Sequence, residues 1–182
     1  AYDKSSEKIY YSDFEDSDTP DGKIWKADID GENATAIVTG LLDPYGIAID
    51  TENEKIYWGD DNGNVSRSNL DGTSKEDIVT IDGGGIRAVA IDATNKKLYF
   101  YDVQNNNLYR SNLDGSSKSV IISGYYGYAI AVDEINNKIY FDAQTDNESV
   151  SALYRANLDG SNPTLISDTQ SRIYGIAIDV YK

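Results

Sequence analysis

The sequence predicts an all-β protein made of four copies of one four-stranded unit. Three short phrases recur four times, always in the same order, along the 182 residues. The copies are spaced at intervals of 47, 42 and 41 residues, measured between Lys8, Lys55, Lys97 and Lys138. No segment of the sequence places apolar residues at helical spacing over three turns. A period of about 40 to 50 residues with strand-like phrases is typical of the blades of a β-propeller.

The four strands of each unit can be assigned in chain order. The inner strand is a run of branched residues and Ala, which suits a strand buried on both faces, and its copies end at Asp50, Asp92, Asp133 and Asp179. The second strand is β-branched and aromatic, and its copies are KIYYSD, KIYWGD, KLYFYD and KIYFDA. The third strand ends in an Asp-Gly turn, in the phrases IWKADIDG, VSRSNLDG, LYRSNLDG and LYRANLDG. A short outer strand such as KEDIVT completes the unit.

The two ends of the chain predict how the blades are joined. We expect one β-propeller domain over 1–182, with repeats at approximately 4–50, 51–92, 93–133 and 134–179. The first residues, AYD, align with the AID that ends the inner strand of the next repeat, and the last copy of this strand lies in RIYGIAID. We therefore expect the N- and C-terminal strands to pair and close a four-bladed ring, which would protect its edges. The alternatives are an open fragment and a ring completed by another chain.

The repeats resemble the YWTD β-propeller, the class B repeat of low-density-lipoprotein receptors and nidogen. Tyr57-Trp58-Gly59-Asp60 is the tetrad closest to the name, while the fourth copy departs from it, with Ala143 at the Asp position. The companion phrase, a basic residue followed by SNLDG or ANLDG, is the more specific half of the signature. Propellers of this family have six blades, whereas this chain carries four repeats. The resemblance implies a non-catalytic, extracellular or secreted domain that binds a protein or peptide.

The composition excludes several kinds of chemistry. The chain has no His and no Cys, which excludes Ser-His-Asp and Cys-His nucleophiles, ordinary zinc and haem ligation, and disulfides. A net charge of −15 disfavours nucleic acid and anionic membranes, because phosphate binding needs a basic surface. The apolar runs are far shorter than the roughly 20 residues needed to cross a bilayer, so we expect no membrane insertion. No basic and then apolar leader is present, so we expect any export signal to have been removed.

One end of the blades is predicted to carry the binding surface. In a meander, the loops between second and third strands lie at the same end as the connections between blades. Four aligned residues precede the inner strands there, and three others lie beside them, which gives the candidate ligand-binding set Tyr45, Arg87, Tyr125, Tyr126, Tyr128, Arg172 and Tyr174. Tyr and Arg are enriched at binding hot spots. The alternative is that the tyrosines only pack the blade edges.

The same end is predicted to carry two long acidic hairpins. The first spans YSDFEDSDTPDG, with Asp16, Asp18 and Asp21 spaced almost as in a calcium-binding loop. The twelfth position counted from Asp16 is Ala27, where an EF-hand has a bidentate Glu, so this is not an EF-hand. Three alternatives stay open for these carboxylates: a calcium site, a solvated turn, or a surface that attracts a basic protein. No other cofactor is predicted.

The second acidic hairpin follows the second strand of the fourth repeat. It carries Asp142, Asp146 and Glu148. If the ring closes, this hairpin stands next to the first one, because the first and fourth blades become neighbours. Such a pairing of acidic loops is not required by the fold, and it favours a basic segment on the partner.

Two other functions stay open beside protein or peptide binding. A lectin, calcium-dependent or not, would use Tyr and Trp for stacking on sugars and Asn and Asp for hydrogen bonds. A calcium-dependent, lactonase-like hydrolase would need carboxylates and amides on the propeller axis. The aligned axial residues here are Tyr45, Arg87, Tyr128 and Tyr174, so we expect no enzyme.

Overall fold

The structure is a computed structural model that describes residues 1–14, 19–144, 151–168 and 172–178. Over these ranges it contains sixteen strands and no helix. Accordingly, no helix in this part of the chain has the length and apolar character that crossing a membrane requires. By its contacts the chain divides into two compact units, Ala1–Ile86 and Arg87–Lys182. That all 182 residues form one domain stays a prediction.

The first unit holds two four-stranded antiparallel sheets whose strands follow one another in chain order. The strands of the first sheet are β1 (Tyr2–Asp3), β2 (Lys8–Asp13), β3 (Gly22–Asp28) and β4 (Thr35–Leu41). Those of the second sheet are β5 (Ile47–Asp50), β6 (Lys55–Gly59), β7 (Asn64–Asn69) and β8 (Glu76–Thr80). Each sheet is therefore a meander that begins with the GIAID-type phrase, as the repeats predict.

Two further meanders follow, and the second unit begins at the second residue of the third sheet. The strands of the third sheet are β9 (Ile86–Asp92), β10 (Lys97–Asp102), β11 (Asn107–Asn112) and β12 (Ser119–Ser123). Those of the fourth are β13 (Ile130–Asp133), β14 (Lys138–Gln144), β15 (Ser151–Asn157) and β16 (Thr164–Asp168). A register shift recurs at the same aligned step between third and fourth strands in every sheet, and such a bulge increases the twist. The four sheets are the blades of a β-propeller, so the predicted fold class is confirmed.

The core of each unit lies between its two sheets. In the first unit, Tyr10 and Ile24 of the first sheet pack with Ile56 and Trp58 of the second, and all four are at most 1% exposed. In the second unit, a larger cluster joins residues of the third sheet such as Tyr99 to residues of the fourth such as Phe141. Successive strand residues alternate between the two faces, so the apolar residues of inner and second strands fill both sides of a blade.

One turn recurs between the first and second strands of the blades. An Asp at the end of the inner strand accepts hydrogen bonds from the backbone N–H and the side-chain amide of an Asn three residues later, in the pairs Asp50–Asn53, Asp92–Asn95 and Asp133–Asn136. The first blade differs, because the carboxylate of Asp3 accepts from the hydroxyls of Ser5 and Ser6 instead.

Adjacent blades are also joined at their ends by hydrogen bonds. In the second unit, the Tyr99 hydroxyl and Arg110 Nη1 both donate to the backbone oxygen of Leu158, at 3.1 and 3.2 Å. The Glu134 carboxylate of the fourth blade accepts from the backbone N–H groups of Ala93 and Thr94, at 2.9 and 3.2 Å. These bonds fasten the third blade to the fourth where their first two strands turn.

The Asp-Gly turns form a second kind of contact between blades. Gly72 has a φ of 85°, and a Cβ atom placed there would lie 1.9 Å from the backbone oxygen of Ile37 in the preceding blade. Gly160 meets Ile121 in the same way, at 2.2 Å. Only glycine fits these positions, because a side chain would both strain the backbone and displace the neighbouring strand.

The closure of the ring by the chain ends stays a prediction. Residues 172–178 adopt no strand, and within the described ranges β1 pairs only with β2. The inner position of the first blade is occupied by the N-terminus itself. Tyr2 pairs with Ile9, and the Ala1 ammonium donates to the backbone oxygen of Tyr10 at 2.7 Å.

Candidate ligand-binding site

Five of the predicted binding residues come together in the second unit. Arg87 is the second residue of β9, Tyr126 and Tyr128 lie in the connection before β13, and Arg172 and Tyr174 lie in the segment 172–178. We call these five residues the tyrosine–arginine cluster. The connection before β13 is held by its backbone, because Gln144 N–H donates to the oxygen of Tyr126 at 2.7 Å.

The rings of the cluster form a continuous aromatic surface. Tyr126 and Tyr128 meet edge to face, with ring centroids 5.2 Å apart and an interplanar angle of 87°. Their hydroxyl oxygens lie 2.7 Å apart, at hydrogen-bonding distance. Tyr128 also packs against Tyr174, with centroids 5.4 Å apart, and Tyr174 is 68% exposed. Such geometry suits aromatic pairs and leaves one large ring free for a ligand.

Two guanidinium groups act on these phenols. Burial, followed by the hydrogen bond with Tyr126, raises the pKa of Tyr128 to about 12, although Arg172 and Arg87 act in the opposite direction. The pKa of Arg172 is raised mainly by its hydrogen bond with Tyr174. At neutral pH the cluster therefore presents a protonated Tyr128 beside two positive charges.

Asp142 supports the cluster from within the fourth blade. Its Oδ1 accepts hydrogen bonds from the backbone N–H groups of Tyr128 and Ala129, at 2.6 and 2.7 Å. The side chain is fully buried, and burial raises its pKa to about 6 in spite of those two bonds. Asp142 therefore fixes the backbone that carries Tyr128.

This role differs from the one expected for Asp142. The sequence placed it in an acidic hairpin, whereas β14 extends to Gln144 and buries it. The alignment of the repeats contained a signal that Asp142 belongs to a strand. Asp142 occupies the same second-strand position as Ser12, Gly59 and Tyr101, one position before the Asp of the tetrad. The other two acids of that hairpin, Asp146 and Glu148, lie outside the described residues.

Two of the predicted binding residues lie elsewhere. Tyr125 is half-buried and packs against Phe141 and Tyr154, with centroids 6.2 and 5.5 Å apart, and its backbone oxygen accepts from the Tyr101 hydroxyl. It is held in the core of the second unit. Tyr45 belongs to the first unit, where its ring meets Phe14 at 4.8 Å. Its hydroxyl donates to Asp61 at 3.1 Å.

The predicted calcium site stays a prediction. Asp16 and Asp18 lie outside the described residues. Asp21 is described, and its carboxylate accepts from the Thr19 hydroxyl at 3.3 Å. Within the ranges that the structure describes, no group of three or more acidic residues could hold a metal ion.

Comparison with protein families identifies the chain. The family described as the dipeptidyl peptidase IV (DPP IV) N-terminal region matches residues 51–179, which is more than half of the chain. The chain belongs to this family.

Three curated relatives are similar to parts of this chain. Protein cueball of Drosophila erecta is 30% identical over 109 residues, which are 56% of this chain and 16% of the relative. Low-density lipoprotein receptor-related protein 5 of Mus musculus is 34% identical over 67 residues, 36% of this chain and 4% of the relative. The vitellogenin receptor of Solenopsis invicta is 31% identical over 86 residues, 47% and 5% respectively. The chain thus spans less than a fifth of the length of each of these relatives.

Solved structures share the fold at low sequence identity. The nidogen/laminin complex has a TM-score of 0.79 and 18% identity, over 94% of this chain and 65% of that chain. An oligogalacturonate lyase in complex with manganese has a TM-score of 0.67 and 13% identity, over 92% and 51%. Together with the receptor relatives, the first likeness confirms the prediction of a YWTD-type β-propeller. The named relatives are receptors or proteins whose names denote no catalysis, while the more distant neighbours include a lyase.

Proposed function

We propose that the chain is a non-catalytic domain of an extracellular protein and binds a protein or peptide at the tyrosine–arginine cluster. The observation that carries this proposal is the joint placement of three tyrosine rings and two arginines, with Tyr174 largely exposed. Exposed Tyr beside Arg is the composition of binding hot spots. The similarity to two receptors, and a fold neighbour solved as a nidogen/laminin complex, support the same class of function.

The cluster favours a ligand segment that brings a carboxylate or backbone carbonyls. A guanidinium has five N–H donors, so Arg172 can donate to a ligand in addition to its bond with Tyr174. The ring of Tyr128 is held by Tyr126 and by the backbone that Asp142 fixes, so little side-chain entropy is lost when a ligand packs on it. A basic segment on the partner stays part of the proposal, because the net charge of −15 attracts it.

Catalysis by the cluster has less chemical support. A general base works best when its pKa lies near the operating pH. Burial and hydrogen bonding raise the pKa of Tyr128 to about 12, so its hydroxyl stays protonated at neutral pH. The hydroxyl therefore suits hydrogen bonding to a ligand.

The experiment selects peptides from a random phage-displayed library on the immobilised chain and measures the selected peptides by biolayer interferometry. Tyr128→Ala combined with Tyr174→Ala is expected to weaken binding by about 30-fold or more, which corresponds to a hot-spot loss of about 2 kcal/mol. Tyr2→Ala is the matched control, because Tyr2 is an exposed tyrosine of β1 in the other unit. Unchanged affinity in the double variant, with the fold intact by circular dichroism, would show that the chosen surface is wrong.

A further inference from the structure

A polar cleft of about 430 Å³ lies in the first unit, between the first and second blades. Its lining includes Ser6, Tyr10 and Lys26 of the first blade and Thr51, Leu70 and Asp71 of the second. The size is within the range of about 300–1,000 Å³ that small-molecule sites occupy. The cleft belongs to a different unit from the tyrosine–arginine cluster, and the inference drawn from it does not rest on the proposed function.

The cleft occupies the place that is closed by hydrogen bonds in the second unit. Tyr10 and Lys26 align with Tyr99 and Arg110, and those two side chains both donate to the oxygen of Leu158. Lys26 is shorter than Arg and lacks the planar fork of donors. In the described part of the first unit, neither Tyr10 nor Lys26 makes the corresponding bond to the second blade.

A second fastening is also missing. Glu134 of the fourth blade accepts from the backbone N–H groups of Ala93 and Thr94 in the third. The residue aligned with Glu134 in the second blade is Thr51, whose side chain is shorter and carries no charge. The first blade therefore has no such anchor across its turn, and the gap between the blades stays open at this end.

The Tyr10 hydroxyl is the feature that points to a ligand. Tyr10 lines the cleft and is 1% exposed, yet its hydroxyl has no hydrogen-bond partner. A buried hydroxyl without a partner costs stability, and few are tolerated without a reason. The ammonium of Lys26 lies over the Tyr10 ring, 5.6 Å from its centroid. Both side chains line the cleft.

The remaining groups of the cleft mix donors and acceptors. Lys26 is its single basic residue, while Asp3, Glu54 and Asp71 are acidic, so the lining disfavours anions. The carboxylate of Asp3 is already occupied by the hydroxyls of Ser5 and Ser6. A metal cation is disfavoured by the Lys26 charge, and no acidic triad able to hold one exists in the described ranges. A ligand that both donates and accepts through neutral hydroxyls fits this lining best.

We infer that the cleft between the first and second blades binds a neutral polyhydroxylated ligand, a sugar residue, whose hydroxyl pairs with Tyr10. The half-buried Leu70 offers an apolar surface that the C–H face of a sugar can contact. Thr51 and Asp71 offer a hydroxyl and a carboxylate at its edge.

Saturation-transfer NMR with glucose, galactose, mannose and N-acetylglucosamine tests the inference, followed by titration of those that bind. At least one of the four is expected to receive saturation. Tyr10→Phe should weaken its binding roughly three- to tenfold, the worth of one hydrogen bond. Thr51→Glu should abolish binding, because it introduces the carboxylate that Glu134 uses at the aligned position to join the third and fourth blades, and would close the cleft. Tyr99→Phe is the matched control and should leave the affinity unchanged.

Three results would overturn the inference. The first is the absence of saturation transfer to all four sugars in the folded chain. The second is binding that neither Tyr10→Phe nor Thr51→Glu changes. The third is a response to acetate or glycine in place of the sugars, which would assign the cleft to a charged ligand. Because Tyr10→Phe removes an atom without a partner, its folding is not at risk, and the peptide-binding experiment is unaffected by it.

Discussion

Replacing Asp142 by Asn removes a buried carboxylate that supports the tyrosine–arginine cluster. The change keeps the shape of the side chain, and the Asn oxygen can accept from the same backbone N–H groups of Tyr128 and Ala129. The Asn amide can donate to the Ser151 hydroxyl, which now donates to Asp142 at 3.3 Å. The substitution therefore tests the charge of Asp142 with little change in packing.

The expected magnitude follows from the pKa of Asp142. Burial raises it from 3.8 to about 6 in the folded chain. A difference of about two units corresponds to about 3 kcal/mol, at 1.36 kcal/mol per unit. Between pH 4 and pH 6 the folded state holds this proton more tightly than the unfolded state, so Asp142 makes folding less stable as the pH rises through this window. The free energy of unfolding of Asp142→Asn, relative to that of the wild type, should therefore rise by up to about 3 kcal/mol between pH 4 and pH 7.

Urea titrations at several pH values between 4 and 7.5 would measure this gain. Both tryptophans, Trp25 and Trp58, lie in the first unit, so their fluorescence does not report the unfolding of the second unit, which contains Asp142. Circular dichroism, or hydrogen exchange of β13 to β15 amides, reports the second unit. Asp133→Asn is the control of opposite sign, because hydrogen bonds from Asn136 lower the pKa of Asp133. Because the lowered pKa of Asp133 lies below 3.8, its carboxylate protonates only below about pH 4, so the loss of stability should stay nearly constant from pH 5 to pH 7.5.

The reasoning would be refuted by a difference between Asp142→Asn and the wild type that is constant over this range. A difference that falls as the pH rises would refute it more strongly, since it would mean that the two backbone N–H groups outweigh burial. The chain has no His, so few other groups titrate between pH 5 and 8 and obscure the comparison.

Three further predictions concern the contacts between blades. Tyr10→Phe should leave the free energy of unfolding unchanged or raise it by about 1 kcal/mol, whereas Tyr99→Phe should lower it by about 1 kcal/mol, because only Tyr99 loses a hydrogen bond. Chemical denaturation of the two variants measures this, and equal effects would contradict the different bonding of the two hydroxyls. Gly72→Ala should lower the melting temperature far more than Gly31→Ala. Both glycines have a φ of 85°, but a Cβ at Gly72 would meet the backbone oxygen of Ile37, whereas a Cβ at Gly31 would meet nothing within 4 Å. Similar melting temperatures would show that only the backbone angle matters. Glu134→Gln should lower the free energy of unfolding by about 1–3 kcal/mol and speed hydrogen exchange at the amides of Ala93 and Thr94, because a charged acceptor is replaced by a neutral one. Unchanged exchange would show that Glu134 does not join the third and fourth blades.

The strand order of the blades could be predicted because each phrase occurs four times. A single KIYWGD or VSRSNLDG is a weak signal, but four aligned copies show which positions are constant and which turns separate them. The same alignment located Tyr128 and Tyr174 before their inner strands, and the structure brings them into contact. Repetition thus supplied the information that a single copy of the phrase lacks.

Other features depend on contacts that a one-dimensional pattern does not contain. The burial of Asp142 follows from the continuation of β14 to Gln144, while a run of acidic residues beyond it suggests an exposed hairpin. The open cleft depends on Lys26 and Thr51 standing where the other blade pair has Arg110 and Glu134. The sequence alone does not show that these two positions face the neighbouring blade, and the contacts of Arg110 and Glu134 across the third and fourth blades reveal it.

The glycine of the Asp-Gly turn has a consequence for how the chain loses its structure. Gly72 and Gly160 each fit against the backbone of the preceding repeat, and no other residue type could take their place there. The shape of one repeat is therefore complete only when its predecessor is folded, which couples neighbours as in a one-dimensional cooperative array. The smallest part able to melt or fold independently in either half is thus a pair of repeats, and one repeat cut out alone would keep a turn shaped for a neighbour it no longer has.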